Sequence, residues 1–156
     1  MQQFFIITKY SLRDRSMKIA IINGPNLNLL GTREVDVYGG ENFDTFFEEL
    51  KTKFPAAEFS FFQSNVEGEL INELQRVGYT DEGIVFNPGG YTHTSVAIGD
   101  AIAAIITPVI EVHISNIFGR EEFRKISHVS AKAKGVISGL GLKGYELAVE
   151  WLMTGK

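Results

Sequence analysis

The stretch GIVFNPGGYTHTSVAIGDAIAAIITPVIEVHIS, residues 83–115, decides the fold of this chain. It opens with a short apolar run, Gly83–Asn87, which the turn residues Pro-Gly-Gly stop at once. A strongly apolar segment of helical length, residues 94–106, comes next, and a second strand-like run follows at residues 109–114. A strand, a helix and a second strand in this order predict two parallel strands joined by a crossover helix.

The same alternation continues on both sides of this unit. Further strands are expected at residues 18–23, 57–63 and 135–138, and helices at about 44–54, 67–77 and 142–153, with a short helix near 120–127. Five strands separated by helices predict an α/β protein whose parallel sheet is covered by helices on both faces. Right-handed crossovers then favour a flavodoxin-like three-layer fold with a five-stranded sheet in the order 2-1-3-4-5.

Composition and charge narrow the class of protein. The chain has 156 residues, which is about the size of one domain, and it has no Cys, so disulfides, thiolate nucleophiles and cysteine-bound zinc are excluded. A net charge of −4 argues against a nucleic-acid partner. The longest apolar stretch, residues 101–114, contains Thr107, Pro108 and Glu111 and falls short of the roughly 20 residues that cross a membrane. We expect no membrane partner and a cytoplasmic protein.

The first residues, 1–16 (MQQFFIITKYSLRDRS), differ from the rest of the chain. Their apolar core, residues 4–7, is too short for a signal peptide. We expect an N-terminal extension that is disordered or reflects an upstream start, although its Arg and Ser content leaves a targeting role open. Met17 would then begin a single catalytic domain, residues 17–156.

Polar residues collect at one edge of the expected sheet. In open parallel sheets, ligands bind outside the carboxyl ends of the strands, near the switch point between strands one and three. The polar residues that end or follow strands one, three and four include Asn23, Asn26, Arg33, Glu34, Tyr38, Asn87, His93, Ser95, Glu111, His113, Ser115, Asn116, Arg120 and Arg124. Such a convergence of acid–base and anion-binding groups indicates a functional site.

Several kinds of site can be weighed against these residues. The turn after strand one lacks the G-x-G-x-x-G pattern of a dinucleotide or flavin pocket. His93, His113 and Glu111 lack the H-x-x-x-H spacing of a metal site, and no Lys follows a strand to form a Schiff base. Acid–base chemistry on an anionic substrate, with no cofactor and no metal, is therefore favoured. A nucleotide- or flavin-dependent enzyme remains a rival, as does a non-catalytic small-anion binding module, which would not need Arg33, Tyr38 and His113 together.

Four strings of the chain stand out, in the order INGPNLNLLGTREVDVYG (22–39), NPGGYTHTSVAIGDA (87–101), EVHISNIFGREEFRKIS (111–127) and GVISGLGLKGY (135–145). Together and in this order they resemble the type II 3-dehydroquinases. The resemblance implies a lyase that converts 3-dehydroquinate to 3-dehydroshikimate and water without a cofactor, in the shikimate pathway or in quinate breakdown. It also implies a homo-oligomer, a dodecamer of four trimers built from flavodoxin-like subunits.

The resemblance assigns the removal of a proton from C2 of the substrate to Tyr38. A free phenol has a pKa of about 10, and the nearby cation of Arg33 would favour the phenolate. Glu34 would orient Arg33, or else be a surface acid. On the loop residues alone, Tyr38 could equally anchor the loop and Arg33 form a surface pair.

His113 resembles the general acid that protonates the departing C1 hydroxyl, with Glu111 accepting a ring N–H and holding the imidazolium. Taken alone, a His on a strand is more often structural. Asn26 resembles the residue that stabilises the enolate through a bound water, and turn chemistry after Gly-Pro would also explain it.

The remaining matches are substrate-binding residues. The resemblance implies that Asn87, His93 and Arg124 hold ring hydroxyls, that Ile114 and Ser115 capture the carboxylate, and that Asp100 enters the pocket of a neighbouring subunit. Arg120 is a further candidate that could be only a surface charge.

Overall fold

The computed structural model of the protein describes residues 16–31 and 42–155. Within these residues the strands are β1 (Met17–Asn23), β2 (Ala57–Gln63), β3 (Gly83–Asn87), β4 (Val109–His113) and β5 (Gly135–Ser138). They form one sheet in the order β2-β1-β3-β4-β5, and every neighbouring pair is parallel. The predicted fold class and strand order are therefore confirmed. The expectations for residues 1–15 and for Arg33, Glu34 and Tyr38 lie outside the described residues.

The α-helices of the described residues are α1 (Phe43–Lys53), α2 (Glu67–Val77), α3 (Val96–Ala104) and α4 (Lys143–Thr154). α2 has the expected bounds, and α1 and α4 differ from expectation by one residue at each end. The longest helix has 12 residues, and no helix in the described part of the chain is long and apolar enough to cross a membrane.

α3 is shorter than the expected 94–106, because a capping residue sets its first turn and an extended residue ends it. The Oγ of Ser95 accepts the N–H of Ile98 at 2.9 Å and caps the first turn. Ile105 is extended, with φ −94° and ψ 162°, so the helix stops at Ala104. The helix thus begins directly after the loop that leaves β3.

The short helix expected near residues 120–127 is present as a 3-10 helix, Glu122–Lys125, and a second 3-10 turn precedes it. Two 3-10 turns, Ile117–Gly119 and Glu122–Lys125, occupy this region. Arg120 (φ −108°, ψ −153°) and Glu121 (φ −62°, ψ 149°) are extended between them, so no continuous ladder of helical hydrogen bonds can form.

The sheet separates two apolar layers and fixes where its strands end. Alternate residues of β1, such as Ile19 and Ile21, pack against α1 and α4, while Ala20 and Ile22 pack against α2 and α3. β3 and β4 are buried along their whole length. This two-sided burial holds the carboxyl ends of β1, β3 and β4 at one edge of the sheet.

Candidate active site

A cleft of about 260 Å³ lies at the carboxyl edge of the sheet, where β1, β3 and β4 end. This volume is just below the roughly 300–1,000 Å³ of typical small-molecule pockets. The residues lining it are Pro25, Asn26, Leu27, Leu29, Leu30, Asn87, Gly89, Gly90, His93, His113, Ile114, Ser115, Ile117, Arg120 and Arg124. The structure therefore brings together most of the predicted site residues that it describes.

The turn after β1 brings Asn26 to the cleft in a left-handed conformation. Asn26 has φ 68° and is the one residue other than Gly with positive φ among the described residues. Its N–H donates to Asn65 Oδ1 at 3.0 Å, which ties the turn to the loop after β2. Asn tolerates this backbone region better than most residues, and strain of this kind often marks a functional position.

The turn after β1 is also packed closely on the loop after β3. A Cβ built at Gly24 would lie 2.6 Å from the carbonyl oxygen of Pro88, and the N–H of Gly24 donates to the carbonyl of Asn87 at 2.7 Å. Only glycine permits so close an approach of the two backbones. The two loops thus form one continuous floor beneath the cleft.

His113 and Glu111 form a buried pair at the end of β4. Nε2 of His113 donates to Oε1 of Glu111 at 2.7 Å, and the two residues are 4% and 0% exposed. Residues two apart on a strand share a face, so the strand itself sets the alignment. Because Glu111 is an acceptor only, Nε2 carries a hydrogen and Nδ1 is the ring nitrogen that remains for a ligand.

Two hydroxyl groups further support the Glu111 carboxylate. Thr92 Oγ1 donates to Oε1 and Ser130 Oγ donates to Oε2, each at 2.5 Å. Burial alone would raise the pKa of Glu111, but the hydrogen bonds from His113, Ser130 and Thr92 outweigh it and hold the pKa below its ordinary value. Glu111 is therefore a buried carboxylate that stays ionised beside the imidazole.

Ser127 fixes the directions of these hydroxyl hydrogens. Its Oγ accepts the backbone N–H groups of Val129 (3.1 Å) and Ser130 (2.8 Å). Its own hydrogen can then go to Thr92 Oγ1, 2.7 Å away, because the hydrogen of Thr92 is given to Glu111. The hydrogen bonds therefore lead from Ser127 through Thr92 to the carboxylate of Glu111.

Close packing of α3 brings this supporting segment to the site. A Cβ built at Gly99 would lie 2.5 Å from the carbonyl oxygen of His128. The N–H of His128 donates to the carbonyl of Thr92 at 2.8 Å. A side chain at position 99 would push segment 126–130 away from the cleft.

His93 lies beside His113 on the wall of the cleft. The two rings are stacked, with centroids 6.4 Å apart and an angle of 17° between their planes. Nδ1 of His93 is 2.7 Å from the carbonyl oxygen of Ile126, so Nδ1 carries a hydrogen and the neutral ring presents Nε2 as an acceptor. Burial lowers the pKa of His93, and the charge of Arg124 adds to the lowering, while the Ile126 carbonyl opposes it.

Two arginines give the cleft a local positive charge. Arg124 donates from Nε to Glu121 at 2.6 Å and lies over the ring of Phe123, 5.0 Å from its centroid. Arg120 donates from Nη1 to Ser115 Oγ at 3.5 Å, and its Nε lies 3.5 Å from the same Glu121 carboxylate, so the two arginines share one counter-charge. Among the described lining residues there is no Asp or Glu. The cleft is therefore suited to an anionic ligand although the whole chain is acidic.

The other predicted site residues are placed differently. Ile114 and Ser115 follow His113 and line the cleft. Glu111 lies buried behind His113 and does not line it. Asp100 is exposed on α3 and does not line the cleft of its own chain.

Arg33, Glu34 and Tyr38 belong to segment 32–41, which lies outside the described residues. The residues at its two ends meet. A Cβ built at Gly31 would lie 3.1 Å from the backbone nitrogen of Asn42, and Leu30 lines the cleft. The chain thus leaves the wall of the cleft and re-enters the described structure at the same place.

Sequence reasoning missed four residues that support the site. Thr92 and Ser130 hold Glu111, Ser127 bonds to Thr92, and Tyr145 of α4 bonds to Asn87. Thr92 could have been suspected because it lies in the polar loop after β3. Tyr145 carried another signal, since a Tyr on the buried side of a helix needs a partner for its hydroxyl.

Comparisons with known proteins agree with this geometry. The family model described as Dehydroquinase class II matches residues 17–153. The 3-dehydroquinate dehydratase of Fusobacterium nucleatum subsp. nucleatum is 52% identical over 143 residues, which cover 88% of this chain and 97% of that protein. The 3-dehydroquinate dehydratase of Caldicellulosiruptor saccharolyticus is 50% identical over 135 residues, covering 85% of this chain and 93% of the relative.

Solved structures give the same result. The crystal structure of a type II dehydroquinase from Butyrivibrio crossotus superposes with a TM-score of 0.83 at 46% identity, covering 88% of this chain and 98% of the other. That of a type II dehydroquinase from Propionibacterium acnes gives a TM-score of 0.83 at 40% identity, over 90% and 98% of the two chains. On sequence and fold together, this chain belongs to the class II dehydroquinase family.

Proposed function

We propose that this chain is a 3-dehydroquinate dehydratase, a lyase that forms 3-dehydroshikimate and water in the shikimate pathway. Its family and its relatives named 3-dehydroquinate dehydratase support this substrate. The observation that carries the proposal is the buried His113–Glu111 pair beside a cleft with two arginines. A proton donor next to an anion-binding wall is what the loss of water from a carboxylate substrate requires.

The reaction breaks the C2–H and C1–O bonds and forms the C1=C2 double bond. Tyr38, as the phenolate, takes the proton from C2, and the cation of Arg33 lowers the cost of that phenolate. Glu34 orients Arg33. The electron pair from C2 forms an enolate with the neighbouring ketone, and Asn26 stabilises this charge through a bound water. The left-handed turn at Asn26, on the cleft wall, supports this role.

The enolate then expels the C1 hydroxyl as water. His113 in its protonated form gives that oxygen the proton of Nδ1, because the Nε2–H is held by Glu111. Proton exchange with water then restores the Tyr38 phenolate and the imidazolium of His113. Glu111 keeps the imidazolium aligned and remains ionised itself. General acid–base catalysis of this kind supplies a factor of about 10²–10⁴, so stabilisation of the enolate must provide further acceleration.

The substrate is held by side chains around the same cleft. Asn87 and His93 bind ring hydroxyls, as does Arg124 through its terminal nitrogens, because its Nε is bonded to Glu121. The backbone N–H of Ile114 and the hydroxyl of Ser115 bind the carboxylate. Arg120 donates to Ser115 and adds positive charge there, which supports a substrate role for it.

The assembly we propose is a homo-oligomer, a dodecamer of four trimers, in the cytoplasm, with residues 17–156 as its single catalytic domain and residues 1–16 as an extension. Asp100 would reach the cleft of a neighbouring subunit. The exposed side of α3 around Asp100 is otherwise apolar, formed by Val96, Ala97, Ala103 and Ala104. An apolar exposed face of this kind favours a contact between subunits.

The test is the ultraviolet absorbance of the conjugated enone after 3-dehydroquinate is added to EDTA-treated protein. We expect a steady rise, which Tyr38→Phe and His113→Gln each reduce by about 10²-fold or more. Tyr79→Phe and His128→Gln are the matched controls, since neither residue lines the cleft, and both should keep full activity. A flat trace from folded wild-type protein that still binds the substrate would instead favour the small-anion binding module.

A mixing experiment tests the shared site. Asp100→Asn and His113→Gln chains, each of which we expect to have strongly reduced activity alone, are unfolded together and refolded. If Asp100 serves a neighbour, mixed assemblies contain some sites with both residues intact and regain part of the activity. No gain in mixtures whose assembly is verified by light scattering would refute the shared site.

A further inference from the structure

The hydroxyl of Tyr145 joins the carboxyl ends of β1 and β3 from below the cleft. It donates to Asn23 Oδ1 at 2.8 Å and accepts from Asn87 Nδ2 at 2.9 Å. Asn23 and Tyr145 are 0% exposed and Asn87 is 3% exposed. Of these three residues, only Asn87 lines the cleft. The link therefore connects a substrate-facing side chain to the core.

The tyrosine ring is held in place by the core itself. Its centroid is 5.2 Å from that of Phe43 and 5.9 Å from that of Phe46, and both ring pairs meet at 64°. Edge-to-face contacts of this kind favour one ring orientation. The hydroxyl is thus aimed at the strand ends before any ligand arrives.

One backbone group determines the direction of the whole chain of hydrogen bonds. The N–H of Gly89 can only donate, and it donates to Asn87 Oδ1 at 3.1 Å. This places Nδ2 of Asn87 toward Tyr145, so the tyrosine oxygen accepts there and gives its single hydrogen to Asn23 Oδ1. A reversed Asn87 amide would set its NH₂ against the Gly89 N–H, so that two donors would face each other.

We propose that Tyr145 is a positioning residue for substrate binding, which acts by fixing the amide of Asn87 in one orientation. The inference rests on the proposed function, in which Asn87 holds a ring hydroxyl. With both ends of its amide bonded, Asn87 meets the substrate without losing rotational freedom, and such pre-organisation raises affinity. The residue touches no reacting atom.

One observation separates this role from a catalytic one, and another shows how Asn23 depends on the Tyr145 hydroxyl. Burial raises the pKa of Tyr145 far above its ordinary value, so the phenol stays protonated and is always available as a donor to Asn23. Asn23 Nδ2 is the one buried side-chain polar atom without a hydrogen-bond partner among the described residues. Without the Tyr145 hydroxyl, the Asn23 amide would lose its anchor and Asn87 would lose one of the two bonds that fix it.

The test is Tyr145→Phe, which removes the hydroxyl and keeps the ring. We expect the KM for 3-dehydroquinate to rise roughly fivefold, the factor that corresponds to one neutral hydrogen bond, with a smaller change in kcat. Tyr79→Phe, which loses an exposed bond to the carbonyl of Ala104, is the matched control and should leave KM unchanged. A purely structural hydroxyl would lower the unfolding midpoint and leave KM within twofold of wild type, which would overturn the proposal.

A double-mutant cycle tests whether the effect passes through Asn87. In an Asn87→Ala background, Tyr145→Phe should have no further effect on KM, and an undiminished rise would overturn the proposal. Asn23→Ala, which removes the acceptor of the Tyr145 hydrogen, should raise KM in the same direction.

If the Tyr145→Phe and Asn23→Ala variants fail to fold, NMR of the wild-type protein tests the proposal. The side-chain NH₂ of Asn87 should be as rigid as the backbone, with an order parameter near 0.85, and a value below about 0.6 would overturn the proposal. This readout needs no turnover. A wild-type protein that fails to dehydrate the substrate but has a rigid Asn87 amide would thus refute the proposed function alone.

Discussion

His113 Nε2 and Glu111 Oε1 are 2.7 Å apart at the carboxyl end of β4, with both side chains almost fully buried. The pair is aligned by the two-residue repeat of the strand, and the carboxylate is supported by hydroxyls from two separate loops. The position of the Glu111 carboxylate therefore depends on the residue alternation along β4 and on the packing of two loops, and its hydrogen bond holds His113. Substitutions that change the packing or the charge at this site should have different, measurable effects.

Glu111→Gln should reduce stability in a pH-dependent way. Because the folded pKa of Glu111 lies below the ordinary value of 4.5, the folded state binds fewer protons near that pH than the unfolded state. The stability contributed by the carboxylate is then fully present above about pH 4.5 and is lost as the pH falls through the folded pKa. In urea unfolding, the free energy of unfolding of wild type should exceed that of Glu111→Gln by about 1–3 kcal/mol at pH 7. This difference should become smaller below pH 4.5.

The control for this measurement is Glu48→Gln, which removes an exposed ion pair with Lys51. The free energy of unfolding of Glu48→Gln should stay within about 0.5 kcal/mol of the wild-type value at every pH. A Glu111→Gln gap that is constant from pH 7 to pH 3 would contradict the depressed pKa.

Thr92→Val and Ser130→Ala should shift the pH dependence of stability. Each removes a donor whose hydrogen bond lowers the pKa of Glu111, so the stability that the carboxylate contributes should be lost at a higher pH than in wild type. Thr80→Val, which loses exposed hydrogen bonds far from Glu111, serves as the control. Urea unfolding between pH 7 and pH 3 measures the shift, and a loss of stability that is the same at every pH would mean that the hydroxyls only support the fold.

His93 should titrate below its ordinary value of 6.5, because burial and the charge of Arg124 both disfavour its protonated form. The folded state then binds fewer protons than the unfolded state just below pH 6.5, so this residue costs stability as the pH falls through that range. NMR titration of the imidazole carbons measures the midpoint directly. Arg124→Gln should raise it, and a wild-type midpoint at or above 6.5 would disprove the shift.

Gly24→Ala should destabilise the protein, since the new Cβ would lie 2.6 Å from the Pro88 carbonyl oxygen. Forcing apart two packed backbones costs about 1–3 kcal/mol. Gly68→Ala is the matched change, because nothing lies within 4 Å of a Cβ there and α2 gains helix propensity. The urea midpoint should fall in Gly24→Ala and rise in Gly68→Ala. Equal midpoints in the two variants would contradict the close approach of Gly24 to Pro88.

Local signals were enough to predict the sheet but not the loop beyond β4. Gly83–Asn87 is bounded by turn residues on its carboxyl side, and right-handed crossovers leave few strand orders for such elements. The break at Arg120 and Glu121 has no such signal, because the ion pair of Arg124 with Glu121 and the Asn116 cap depend on how the segment folds back. Short-range patterns favoured one helix there, and the structure has two 3-10 turns.

The candidate site likewise combines residues that the sequence predicted with residues that it did not. His113 and Asn87 are the last residues of β4 and β3, and Asn26 lies in the turn after β1, so the topology alone brings them to one edge of the sheet. Ser130 reaches Glu111 only because α3 packs Gly99 against the His128 carbonyl, a contact between residues far apart in the chain. Tyr145 is far from Asn87 in sequence as well. Residues that position others through such contacts leave little trace in a single sequence.

The meeting of Gly31 with Asn42 opens a route to a split enzyme. Since the chain departs and returns at one point, segment 32–41 can be excised and its ends rejoined by a short linker with little strain on the scaffold. In the proposed mechanism that scaffold would keep the general acid, His113, and a synthetic peptide of residues 32–41 supplied in trans would return the proposed base, Tyr38. Fluorinated tyrosines of graded acidity could then replace Tyr38, so that the acidity of the base becomes an experimental variable.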